Sequence, residues 1–248
     1  MRGRECFFDI EFSTGSREDI LSMIAGAARA ERTTVLVTPN VDHIVTLRTR
    51  MQAEAREAYL SADFFLCDSK IIDRLAGWSG IDLTPRTGTD RVADILAAPS
   101  QRDLRIAVVG PTSRQFDALR ARYPRHDFVY IAAPRALVRG SAEWDACVAD
   151  AARAQWHVLL ACLSFPKQEL FAGDVRARRR GGGIVMCVGA AVDFLSGTQR
   201  RAPESWQRYG FEWLHRLLTD PRRLWRRYLV EGPKIFLLYW QYRQEKRA

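Results

Sequence analysis

Short apolar runs that alternate with helix-period segments constrain the fold of this chain more than any other feature. The runs fall at residues 6–10, 33–37, 63–67, 104–109, 127–132, 156–162 and 183–188. Most are continuous apolar runs rather than alternating ones, as expected of strands covered on both faces. Between them lie helical patterns at 16–29, 41–60, 69–76, 89–97, 112–121, 142–154 and 167–178. In the first of these, Ile20, Met23, Ile24, Ala27 and Ala28 share one side, and Ser16 stands where an N-cap belongs. The alternation predicts an α/β fold: a Rossmann-like, largely parallel sheet with crossover helices. Ligands of such sheets bind beyond the carboxyl ends of the strands.

After Asp193 the strands stop, and residues 204–247 read as consecutive helices broken near Asp220-Pro221 and Gly232-Pro233. The chain thus divides into an α/β domain, 1–200, and a basic, aromatic-rich helical appendage, 201–248. The net charge of +9 is concentrated there: residues 199–248 hold twelve Lys/Arg against five Asp/Glu. An anionic partner should meet that segment. Trp206, Trp213, Trp225 and Tyr228 interleave with Arg216, Arg222, Arg223 and Arg226, and residues 235–240 form an unbroken apolar run between Lys234 and Arg243. Aromatic rings and arginines together on helices suit an anionic membrane surface. The alternative is a C-terminal helix packed on the sheet with a solvated Arg face. Six consecutive apolar residues cannot all face one core, which favours the membrane.

Other classes are disfavoured by what the sequence lacks. Five cysteines are scattered, odd in number and without a CxxC pair, which reads as free thiols in a reducing compartment. The four histidines show no metal-ligand spacing. No Asp-x-Asp pair occurs, and the nearest approximation, Asp9-x-Glu11, lies in an expected edge strand. Gly110-Pro111 follows a strand without a GxGxxG fingerprint, which argues against a dinucleotide enzyme. Gly181-Gly182-Gly183 reads as a turn. The opening MRGRECFFDIEF lacks a signal-peptide apolar region, and no run is long enough to span a bilayer. The expected location is the cytoplasmic face of the inner membrane, peripherally attached.

Four positions stand where strand-end chemistry belongs. Thr38-Pro39-Asn40 follows the run 33–37, and Asn40 or Thr38 suits a helix cap as well as a ligand contact. Asp68 ends the run 63–67, either as a cap or as a general base. Arg86, in Arg86-Thr87-Gly88-Thr89-Asp90, precedes a helix that could hold a diphosphate, or closes a surface turn capped by Thr89. Pro166 suits a first helical position, which places Lys167 and Gln168 in the first turn toward the strand-end crevice.

At these residues the sequence resembles the WecG/TagA/CpsF glycosyltransferases, glycosyltransferase family 26. The resemblance runs from Thr38-Pro39-Asn40 to about Tyr228. Its strongest marks are the Arg86–Asp90 pentapeptide, Pro166-Lys167-Gln168-Glu169, Arg201-Ala202-Pro203, Glu212-Trp213-Leu214-His215-Arg216 and Asp220-Pro221-Arg222-Arg223. It implies metal-independent, inverting transfer of a hexose or N-acetylhexosamine from a UDP-sugar to a polyprenyl-diphosphate-linked saccharide, in synthesis of a bacterial surface polysaccharide. No cofactor is implied beyond the donor itself. Carried over by position, Asp68 would be the general base. Thr38 and Asn40 would line the sugar and acceptor site, and Arg86 and Gln168 would hold the donor. Arg216, Arg223 and Arg226 would reach the diphosphate of the lipid acceptor or of UDP. Direct displacement needs one base and a stabilised leaving diphosphate, and arginines supply the latter where no metal is held.

The chain departs from the family pattern at Asp68-Ser69, where Asp-Gly is usual, and at Ser164-Phe165-Pro166, where Gly-x-Pro is usual. A third departure is Gly189-Ala190-Ala191-Val192-Asp193, in place of Gly-Gly-x-Phe-Asp. These glycines bring backbone close to ligand, so their loss points to an altered donor specificity. The rival class is a nucleic-acid-binding protein using the basic helices. Against it, the basic surface is aromatic-rich and confined to one end, so no nucleic-acid partner is expected. Self-association as a homo-oligomer is left open.

Overall fold

Along each central strand successive side chains face opposite ways, and here both sets are apolar. In β3 (Thr33–Val37), Val35 and Val37 enter one apolar cluster while Leu36 enters another. The same split divides β5 (Arg105–Val109), β7 (Val158–Ala161) and β8 (Gly183–Cys187). Two-sided burial is why these segments read as continuous apolar runs. The computed structural model describes residues 3–134 and 136–246. Residues 1, 2, 135, 247 and 248, and with them Arg247 of the expected last helix, lie outside the described residues.

The sheet has eight strands in the order β1-β2-β4-β3-β8-β7-β5-β6, completed by β1 (Gly3–Phe7), β2 (Ile10–Thr14), β4 (Phe64–Phe65) and β6 (Asp127–Ile131). Every pairing is parallel except β1 with β2. The Rossmann-like α/β architecture expected from the sequence is present.

Residues α2 (Val41–Thr49), α3 (Ala53–Leu60), α4 (Lys70–Gly77), α7 (Ala142–Arg153) and α8 (Lys167–Arg178) pack on one face of the sheet. On the other lie α1 (Arg17–Ala28), α5 (Gly88–Ala97), α6 (Ser113–Arg122) and α9 (Ala191–Leu195). After β3 and β7 the chain turns to the first face, and after β8 to the second. The loops at these three carboxyl ends therefore diverge and leave a crevice, the usual ligand position of such sheets.

Two expectations need correction. Residues 6–10 are not one strand. Phe8 and Asp9 take φ of 52° and 58°, the two-residue turn that joins β1 to β2. Phe7, Phe8 and Ile10 stay buried through the turn, so the apolar pattern does not register it. Asp9 accordingly sits in the turn, paired with Arg48, and Glu11 of β2 pairs with Arg4. The pattern at 41–60 is likewise two helices. Arg50 leaves helical geometry between α2 and α3, and its guanidinium reaches Glu231 at 2.5 Å.

Beyond the sheet come α10 (Glu204–Tyr209), α11 (Glu212–Thr219), α12 (Pro221–Trp225), a π-helical turn (Arg226–Glu231) and α13 (Lys234–Glu245). One face of α13 closes the core: Ile235, Tyr239 and Tyr242 are buried, and Tyr242 meets the Phe7 ring at 5.4 Å. Its other face is apolar and open to solvent, with Phe236, Leu237 and Trp240 exposed. No helix among the described residues is long and apolar enough to cross a membrane.

Candidate active site

Two cavities open in the crevice and share a wall. The first, about 380 Å³, lies over the ends of β3, β7 and β8 and is mostly polar, with Thr38, His43, Gln168, Asp193 and Arg223 on its lining. The second, about 460 Å³, runs between α4 and the C-terminal helices past Ile71, Trp213, Leu229, Ile235 and Phe236. Asn40, Asp68, Thr87, Arg216 and Arg227 border both.

Asp68 stands at this junction because β4 ends there. Its N–H donates to Pro39 O at 2.9 Å, which ties it to the loop after β3. The cap of α4 is Ser69, whose hydroxyl accepts from Ile72 N at 3.3 Å. Asp68 is thereby free of the capping role that its position also suited. Burial pushes its carboxyl up to about 7, and the charges of Glu212 and Asp90 add to this. Arg216 and the Gly88 N–H pull the other way. A carboxylate so placed exchanges protons near neutral pH, as a general base requires.

Around it, several sequence candidates hold the walls in place. Asn40 caps α2, accepting from Asp42 N and His43 N at 3.0 and 3.2 Å, and also lines both cavities. Asn40 thus serves as the helix cap and also stands on the cavity wall. Thr38 donates to Cys187 O at 3.0 Å, joining the ends of β3 and β8 beneath the polar cavity. Arg86 borders the apolar cavity, and its fork grips both oxygens of Asp94 at 2.6 and 2.7 Å.

Gln168 is buried. Its Oε1 accepts from Gly189 N at 2.9 Å and its Nε2 donates to Glu169 Oε1 at 2.9 Å. Gly189 has φ of 54°, a left-handed turn that suits glycine, so Gln168 fixes the loop that lines the polar cavity. One N–H and one lone pair of the amide remain for a ligand. Lys167 does not face the crevice: its ammonium donates to Leu137 O at 2.8 Å. Pro166 is the residue before the helix, not its first.

His43 stacks on Phe165 with ring centroids 4.0 Å apart. Burial, reinforced by the Arg227 charge, drives its imidazole down to about 3, so it is neutral at working pH and unsuited to proton transfer as an acid. Arg216 reaches Glu212 at 3.3 Å and lies over the Phe194 ring at 5.0 Å. Arg223 bonds Asp220 at 2.5 Å and lines the polar cavity. Arg226 is exposed and lines neither cavity, whereas its neighbour Arg227 lines both.

The sequence also hid a clamp between the C-terminal helices and the site. Arg201 donates to Asp90 at 2.5 and 3.0 Å and to Thr87, the N-cap of α5, at 3.0 Å. Its tripeptide was visible, but its partner lies 111 residues away. Arg201→Ala is expected to lower unfolding free energy by about 1.5–3 kcal/mol, the range of charged hydrogen bonds. Urea denaturation checks this. An unchanged midpoint would show that the clamp carries no load.

Fold and site together define an α/β protein of the Rossmann-like class, with the Asp68 carboxyl on the wall between two cavities. The model of the WecG/TagA/CpsF glycosyl transferase family matches residues 5–248, and the chain belongs to that family. It is a glycosyltransferase, and the family supports a role in cell-surface polysaccharide synthesis.

Proposed function

We propose that the protein moves a hexose or N-acetylhexosamine from a UDP-sugar to a polyprenyl-diphosphate-linked saccharide, with inversion and without a metal. One observation carries the reading: Asp68 borders both a polar and an apolar cavity and has its carboxyl raised to about 7. The donor occupies the polar cavity over β3, β7 and β8. Thr38, Asn40 and Gln168 hold its sugar, and Arg86 keeps the neighbouring turn in place through Asp94. The lipid-linked acceptor enters along the apolar cavity. Asp68 takes the proton of the acceptor hydroxyl as that oxygen attacks the anomeric carbon. The bond to UDP breaks on the opposite side, and UDP leaves with its added negative charge. Arg216 and Arg223 offset that charge, the task a bound cation performs in other transferases.

Residues 201–248 act as a membrane-associating appendage at the cytoplasmic face. Exposed Leu218, Trp225, Leu229, Leu237 and Trp240 support this, as does the basic charge beside them. Arg226, exposed on the outer side, meets anionic headgroups of the membrane surface.

The test is UDP release from a panel of UDP-sugars in EDTA, with and without a polyprenyl-diphosphate monosaccharide. Acceptor-dependent release with one donor is expected. Release only on adding a divalent cation would remove metal independence, and silence with every donor would overturn the substrate assignment.

A further inference from the structure

Three contacts fix the ring of His43 and leave one edge of it open. The His43 backbone N–H donates to Asn40 Oδ1 at 3.2 Å, which locks the residue into the first turn of α2. The imidazole lies on the Phe165 ring, with centroids 4.0 Å apart and planes 14° from parallel. Its Nδ1 meets the hydroxyl of Tyr59, on α3, at 3.4 Å. His43 is 4% exposed, and it lines the polar cavity but not the apolar one.

Tyr59 selects the tautomer. It is fully buried, and burial, followed by the Glu169 charge, pushes its hydroxyl well above the ordinary tyrosine value, so the proton stays on. Among the described residues, His43 Nδ1 is the one hydrogen-bond partner of that hydroxyl. Were Nδ1 protonated, the imidazole would donate to the oxygen and the buried O–H would have no acceptor, a costly arrangement. The hydroxyl therefore donates to Nδ1, and the proton of the ring sits on Nε2. Burial and the Arg227 charge keep the ring neutral. No group among the described residues bonds Nε2, yet that atom is not sealed from solvent. An unpartnered N–H on an almost wholly buried side chain thus opens on the polar cavity.

The chemistry of that donor defines what it takes. A neutral N–H suits an uncharged acceptor, the oxygen of a hydroxyl or of an amide carbonyl. A phosphate oxygen would favour the imidazolium, which burial and Arg227 both oppose. Turning the ring toward another partner would break the Phe165 stack and the Tyr59 bond together, so the donor is held in place before a ligand arrives.

We propose that His43 is a sugar-recognition residue, whose Nε2–H donates to a hydroxyl or acetamido oxygen of a saccharide in the polar cavity while Tyr59 holds the tautomer. The assignment rests on the transferase reading for the source of that saccharide, the donor sugar or the first sugar of the acceptor.

The experiment measures calorimetric binding of UDP and of a panel of UDP-hexoses and UDP-N-acetylhexosamines, with acceptor KM, for the parent, His43→Phe and His43→Gln in the full chain. His43→Phe keeps a ring on Phe165 and loses the donor, whereas His43→Gln restores an N–H. If the donor sugar is the source, His43→Phe binds the UDP-sugar about three- to tenfold more weakly and UDP within about twofold of the parent. His43→Gln recovers part of the loss. If the acceptor sugar is the source, UDP-sugar affinity holds and acceptor KM rises by a similar factor. A merely structural His43 would weaken UDP and UDP-sugar alike. That result, or no change in either readout, would overturn the assignment. Nitrogen NMR of the labelled imidazole in the parent requires no variant to fold. Nε2 is expected to carry the proton, and that proton to move downfield with the saccharide but not with UDP alone. A protonated Nδ1, or an Nε2 that no saccharide shifts, would overturn the assignment. A parent that turns over no UDP-sugar, while a free N-acetylhexosamine shifts its Nε2–H, would count against the transferase reading alone.

Discussion

Asp68→Asn is expected to bind UDP as the parent does and to lose transfer by about 10³-fold, within the range for removal of a general base. The amide keeps the shape and cannot take the acceptor proton. Burial holds the Asp68 carboxyl at about 7, so the base form fills in as pH rises through 7. The parent kcat/KM should climb over that interval and level above it. Residual activity of the variant should lack that step.

Stability runs the other way. A carboxyl whose folded pKa of about 7 exceeds its ordinary value of 3.8 binds its proton more tightly in the folded state. Its contribution is neutral below about 3.8, becomes steadily more unfavourable between there and 7, and is fully unfavourable above. Asp68→Asn is therefore expected to melt higher than the parent at pH 8, by a margin that narrows toward pH 5. A variant both inactive and less stable at pH 8 would mean that Asp68 supports the fold, and would remove it as the base.

The second large effect concerns the outward face of α13. Leu237 and Trp240 are 57% and 59% exposed and Trp225 is 51% exposed, while Ile235, Tyr239 and Tyr242 on the opposite side are buried. None of the three exposed residues lines either cavity. Replacing all three with Glu should leave folding and UDP binding unchanged. At about 2 kcal/mol for each large apolar side chain withdrawn from an interface, affinity for anionic vesicles should fall by more than 10²-fold. Transfer to a vesicle-embedded acceptor should fall with it, and transfer to a short soluble analogue should persist. Co-sedimentation at the parent level would refute the membrane role of this face. Truncation at residue 203 is a poorer test, because it also strips Ile235 and Tyr239 from the core.

Much of the fold was legible because the central strands are covered on both sides. The runs at 33–37 and 183–188 match β3 and β8 to within a residue. Breaks without a compositional signal were not legible. Phe8 takes its left-handed conformation in the turn between β1 and β2, and Tyr242, 234 positions away in sequence, packs on its ring at 5.1 Å. Arg50 ends α2 with no glycine or proline beside it, held by Glu231 of the last helices.

The site shows the same division. Asp68, Thr38, Asn40 and Gln168 were readable as strand-end polar residues, and all four line a cavity. Their protein partners were not readable: the bidentate grip of Asp94 on Arg86 and the bond from Gly189 to Gln168 exist only in three dimensions. Arg227 lines both cavities and Arg226 neither because Arg227 follows buried Leu224 by three residues and so shares its helix face, a spacing the sequence carries.

A crystal structure with UDP bound tests the central claim most directly, that donor and acceptor occupy separate cavities meeting at Asp68. The account predicts uridine diphosphate in the polar cavity over β3, β7 and β8, with its terminal phosphate toward Arg216 and Asp68. UDP seated between α4 and α13, or bound away from Asp68, would contradict it.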